Sequence, residues 1–279
     1  MTFLVLLLTI GAYKLLGWHF RPEHDRWFVN FSERVSTTFG GSSRLTMLVS
    51  VLLPLLVVAL VLSVVQDWVF GFVGLALQVL LLAYAFGRVN LPREVTTYLH
   101  HWCEGDFQSA YHHAQEYFKL EQGFDAGDRA QLHEKACRGV LYQWFEQVFV
   151  IVFWYLLLGP VAALFVRLLN LYEELGDQDE TSRLVHVLEW LPARLLAITY
   201  AVAGNFTQCF KSWLTVLTEY RMTTEQVLFK SGLASIALGE KQLPTAEADV
   251  QAEQIQMLEA LQIRCLVVCL ILVALFTIF

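Results

Sequence analysis

Residues 45–65, LTMLVSVLLPLLVVALVLSVV, run for twenty-one positions without one charged side chain. That length matches the ~20 apolar residues a helix needs to cross a bilayer. In hydrocarbon every backbone N–H and C=O must be satisfied within the chain, which leaves only helices and closed barrels. A second run, WVFGFVGLALQVLLLAYAFG (68–87), follows after only Gln66 and Asp67, so the two form a tight helical hairpin. Pro54 falls inside the first run, where membrane helices tolerate it. No strand-like alternation persists along the chain. The expected fold is therefore all-α: a polytopic integral membrane protein of about four to five membrane elements with cytoplasmic helical segments.

Composition agrees. The 279 residues are 56% apolar and 16% charged, against about 45–50% and 25% in soluble domains. The net charge of −7 and the lack of a basic stripe exclude a nucleic-acid surface. Cys103, Cys137, Cys209, Cys265 and Cys269 form no CxxC pair, which fits loops facing a reducing cytoplasm better than a disulfide framework. The first residues, MTFLVLLLTIGAYKLLGWHF, lack a basic leader and a small-residue cleavage site, and Lys14 lies at the far end. They read as a retained transmembrane helix. CLVVCLILVALFTIF (265–279) is the last span.

Basic residues set the orientation. Segment 19–44 carries Arg21, Arg26, Arg34 and Arg44, and segment 88–140 carries Arg88, Arg93, Lys119, Arg129, Lys135 and Arg138, whereas the 66–67 turn carries none. Both basic segments are expected in the cytoplasm, with the N-terminus and the short turn outside. The expected organisation is a three-helix membrane portion (1–87), a cytoplasmic helical hairpin (88–137), a membrane core (138–204), and amphipathic helices with a final span (205–279). In the hairpin, Gly105-Asp106 separates two amphipathic runs and Asp106 suits an N-cap. His100, His101, Cys103, His112 and His113 invite a zinc reading. Adjacent histidines point about 100° apart on a helix, so a solvated or partner-facing surface is the better reading. No metal and no cofactor is expected.

FWYLLLGPVAALFVRLLNLY (153–172) poses the functional question, because Gly159-Pro160 breaks an apolar stretch that then carries Arg167 and Asn170. Residues 140–172 are too long for one ordinary span, and a hairpin is favoured over a single kinked helix. Ionisable groups at membrane depth cost about 2.5–3.5 kcal/mol on insertion scales and usually pair or line a wet cavity. Arg138, Glu146, Gln147, Arg167, Asn170, Glu189 and Arg194 are the candidate ligand-binding set, whose arginines suit an anionic head group or phosphate. The plainer alternative is an internal Arg167–Glu146 pair that holds the hairpin shut. No catalytic residue is assigned.

Three stretches, RGVLYQWFEQ (138–147), GPVAALFVRLLNLY (159–172) and LEWLPARLLAITYA (188–201), resemble the AmpE branch of the CobD/CbiB superfamily. The resemblance implies an inner-membrane, multi-pass protein linked to cell-wall recycling and to β-lactamase induction. It also implies a lipid-linked or nucleotide-like anion as ligand and a neighbouring cytoplasmic amidase as partner. Its enzyme cousins form an amide bond in cobalamin synthesis. Where they carry further carboxylates, this chain has Tyr142 and Val150, and it has Val185 and His186 in place of an Asp-Asp pair. The resemblance therefore implies anion binding rather than amide synthesis, with the enzyme and a scaffold for a partner as the alternatives.

Overall fold

The computed structural model describes residues 2–15, 25–38, 43–65, 72–86, 90–120, 128–176, 179–218, 222–236 and 248–278. Among them there is no strand. The helices are α1 (Thr2–Leu15), α2 (Arg26–Thr38), α3 (Ser43–Val65), α4 (Phe72–Ala85), α5 (Leu91–Cys103), α6 (Phe107–Tyr117), α7 (Arg129–Trp144), α8 (Val150–Leu158), α9 (Pro160–Glu174), α10 (Asp179–Ala203), α11 (Phe206–Thr218), α12 (Thr224–Ser235) and α13 (Ala248–Ile278). A π-helical turn, Phe145–Phe149, joins α7 to α8. The protein is all-α, as its hydropathy requires.

Among the described residues four helices are long and apolar enough to cross a membrane: Arg44–Val65, Arg129–Leu158, Thr181–Ala203 and Val250–Leu275. The N-terminal helix and α4 are shorter; α4 has 14 residues, or about 21 Å at 1.5 Å per residue. The 66–67 turn lies outside the described residues, as do residues 238–247 of the sequence LGEKQLPTAEAD (238–249), which reads as a turn-rich link but whose last two residues already begin α13. The final span proves to be the apolar second half of a helix that begins at Ala248. Its first half carries buried Gln251, Gln254 and Gln262 and packs on α5 and α7.

The chain folds as two compact units, each discontinuous in sequence: residues 1–88 with 147–189, and residues 89–146 with 190–279. In the first, α9 packs against α3, α4 and α8. Its core joins Phe28 of α2, Met47, Val51 and Leu55 of α3, and Leu164, Leu168 and Tyr172 of α9. The outer face of α3 exposes Leu52, Leu56 and Leu60, the surface that a helix facing hydrocarbon presents. In the second unit, α5 and α6 pair and pack on α7, burying Tyr98, Trp102 and Phe118 with Leu132, Ala136 and Val140. Asp106 caps α6 by accepting the Ser109 N–H at 3.1 Å, and hydrogen bonding from the Ser109 side chain, with that backbone bond, holds its carboxyl below the usual range.

The Gly159-Pro160 break is a hairpin, since α8 and α9 pack against each other. Gly159 adopts φ 86°, ψ −170°, a region open essentially to glycine alone. Pro160 then starts α9 in the first-turn position where its missing N–H costs nothing. A Cβ at Gly159 would meet no atom within 4 Å, so substitution there isolates backbone strain. Gly159→Ala should cost about 1–3 kcal/mol, read as a lowered midpoint in detergent thermal unfolding.

Candidate functional site

Arg167 occupies α9, and its side chain reaches the residue just before α2. Its Nη2 donates to Asp25 Oδ2 at 2.9 Å. The other carboxylate oxygen of Asp25 accepts the Tyr84 hydroxyl at 2.9 Å, and the Trp27 indole N–H donates to Tyr84 Oη at 3.0 Å. Arg167 and Asp25 are each 7% exposed. In such an environment the attraction within a pair must offset a desolvation cost of several kcal/mol per ion. Consecutive hydrogen bonds polarise one another and strengthen the chain of donors. Asp25 engages one terminal nitrogen of the guanidinium. Nε, also buried, has no hydrogen-bond partner among the described residues. Asn170, three residues on and on the same face, is buried as well.

The second unit holds a different arrangement. Glu146, 6% exposed, accepts from Lys119 Nζ at 3.0 and 3.2 Å. Lys119 follows the C-terminus of α6 with φ 53°, the left-handed position where glycine is usual. A lysine there costs roughly 1 kcal/mol of strain, which its reach to a buried carboxylate offsets. Glu146 and Gln147 both lie in the π-helical turn. Such turns are uncommon and concentrate at functional sites, because the extra residue turns side chains off the regular helical face.

The structure divides the predicted residues between the units. Gln147, Arg167, Asn170 and Glu189 belong to the first, and Arg138, Glu146 and Arg194 to the second. All except Arg138 are buried. Each arginine has its own local company. Arg138 pairs with Glu134 one turn earlier and sits 4.8 Å from the Phe229 ring centroid. Arg194 lies 4.1 Å from the Trp190 ring centroid and donates to the Trp190 carbonyl at 3.1 Å. The partner of Arg167 is Asp25 and that of Glu146 is Lys119, so the expected alternative of an Arg167–Glu146 pair gives way to two separate ion pairs. Sequence reasoning missed Asp25, Tyr84 and Lys119. Asp25 belongs to no motif and comes from 142 positions away.

The histidines of the second unit meet in part. The His101 and His113 rings lie 6.3 Å apart, but His113 turns to Glu94 at 3.3 Å and His112 to Gln108 at 3.1 Å. Among the described residues no three His, Cys, Asp or Glu side chains gather as metal ligands.

Comparison with known proteins fits this architecture. The family described as "Regulatory signalling modulator protein AmpE" matches residues 1–279. A curated relative, the cobalamin biosynthesis protein CobD of Chromobacterium violaceum, is 28% identical over 146 residues, covering 49% of this chain and 46% of CobD. The chain thus spans about half the length of that relative. No solved structure matches. With a family match along its full length and four helices long enough to cross a bilayer, the chain belongs to the AmpE family of regulatory signalling proteins and is a multi-pass membrane protein.

Proposed function

We propose that this protein works in the inner membrane as a regulatory sensor linking cell-wall recycling to β-lactamase induction, and that it responds to an anionic, phosphate-bearing ligand at Arg167. The observation that carries the reading is the buried guanidinium, which already holds one carboxylate and keeps an unused Nε–H. Arginine recognises phosphate through two parallel N–H donors. Asp25 engages one terminal nitrogen, so an incoming phosphate would displace it and take the full fork, with Asn170 supplying a further donor. Exchange of one anion for another keeps the buried charge compensated throughout, which a bare buried arginine could not do. Release of Asp25 from Arg167 frees the start of α2, a connection through which occupancy could reach the cytoplasm. The excess of basic residues in 19–44 and 88–140 supports a cytoplasmic position for both segments.

Arg167→Lys tests the reading. Lysine keeps the charge that Asp25 needs but loses the fork. Abundance in the membrane should stay near the parent level. The inducer concentration for half-maximal β-lactamase expression should rise about tenfold or more, the loss of one charge-assisted hydrogen bond worth about 1.5–3 kcal/mol. An unchanged induction curve at normal abundance would contradict the proposal.

A further inference from the structure

Helix α11 is 13 residues long, about 20 Å, too short to cross a bilayer. It follows the span Thr181–Ala203 after only Gly204 and Asn205, and it runs back alongside it. Trp213 Nε1 donates to the Arg194 carbonyl at 3.1 Å, and Cys209 Sγ lies 3.7 Å from the Ala197 carbonyl oxygen. Helix α12 then returns along α11, bringing the Ser235 carbonyl to accept the Asn205 N–H at 2.8 Å. The entrance and exit of the α11–α12 hairpin are therefore adjacent.

Phe206, Phe210, Trp213, Leu214 and Leu217 follow the i, i+4, i+7, i+8, i+11 spacing of one helical stripe. The first three rings stack in a ladder, with centroids 5.3 and 5.7 Å apart. The stripe is covered only in part: Phe210 and Trp213 are half-buried, while Phe206 is 55% and Leu214 48% exposed. Beside it, α10 exposes Leu191, Leu195 and Val202. These are the outward apolar side chains of a helix long enough to span, and α11 is fastened to that helix at the Arg194 and Ala197 carbonyls. The other flank of α11 is sealed on the protein by buried Cys209, whose sulfur accepts from Ser235 Oγ at 3.4 Å.

We infer that α11 and α12 form a re-entrant hairpin, entering and leaving the bilayer on one side, with the Phe206–Leu217 stripe packed against lipid acyl chains. Non-spanning backbone at that depth is tolerated only where protein covers its polar groups. Here α12 supplies that cover, burying Val227, Leu228, Phe229 and Leu233 against α7 and α13.

A photoreactive benzophenone amino acid placed singly at Phe206, Phe210, Leu214 and Leu217, with Thr215 on the opposite face as reference, tests this in native membranes carrying radiolabelled phospholipid. Positions are compared at parental abundance. The stripe positions should yield lipid adducts about fivefold or more above Thr215, since acyl chains would touch that face alone. Adducts to protein alone, or equal lipid labelling on both faces, would overturn the inference. Loss of the protein at all four stripe positions while the Thr215 variant accumulates would overturn it too, because it would show the stripe packed against protein.

Discussion

Asp25→Ala should remove most of the folded protein from the membrane. The substitution leaves the Arg167 guanidinium buried without its carboxylate, and breaking a buried pair from one side costs about 3–5 kcal/mol. It also takes the Asp25 acceptor from the half-buried Tyr84 hydroxyl. Arg167→Ala should be comparably damaging, since it strands the carboxylate instead. Asp25→Asn keeps one acceptor oxygen and so serves only one of the two donors, but it keeps the shape of the side chain and should lose less than either. The double variant Asp25→Ala with Arg167→Ala removes both charges, so a large part of the stability should return. Membrane abundance and the detergent thermal midpoint of the four variants measure the cycle. Additive losses in the double variant would mean that the two side chains are not coupled.

Gly139→Val should be nearly as severe, for a steric reason. A Cβ at Gly139 would lie 2.6 Å from the Phe118 carbonyl oxygen and 2.8 Å from Phe118 Cβ. Phe118 is fully buried and holds the Tyr98 ring edge-on at 5.6 Å, so it has nowhere to move. Alanine alone forces α6 and α7 apart, at the ~1–3 kcal/mol typical of overpacking, and the branched valine exceeds that. The strain falls on the chain leading into Lys119, so the Lys119–Glu146 contact should loosen as well. Gly11→Ala is the matching control, because a Cβ there meets nothing within 4 Å; it should be neutral or slightly stabilising. A drop of the unfolding midpoint at Gly139 with none at Gly11 is the expected pattern. Equal midpoints would show that the close approach at Gly139 is not needed.

The fold was legible wherever hydrophobic runs were long, because a bilayer leaves the backbone few options. The all-α class, the span at 45–65, the turn at Gly159-Pro160 and the Asp106 cap all followed from local chemistry. The arginines were legible as buried charges that need company, and all seven candidate residues except Arg138 are indeed buried. Their partners were not legible. Asp25 and Arg167 meet through packing of elements 142 positions apart, and nothing in PEHDRW marks its aspartate as the counter-ion of Arg167. Lys119 was hidden for a different reason: a left-handed residue after a helix normally reads as glycine, so a lysine there left no signal. The length of α13 was missed because its first half is polar. Only tertiary packing on α5 and α7 makes buried glutamines part of a helix that continues into an apolar span.

The central claim is that Arg167 receives a ligand and does more than hold Asp25. β-lactamase induction measured in the Asp25→Ala, Arg167→Ala double variant, at matched membrane abundance, separates the two roles. If Arg167 is the ligand's anchor, the double variant should accumulate near the parent level yet fail to respond to inducer. Recovery of induction together with abundance would contradict the account and leave the pair a purely structural one.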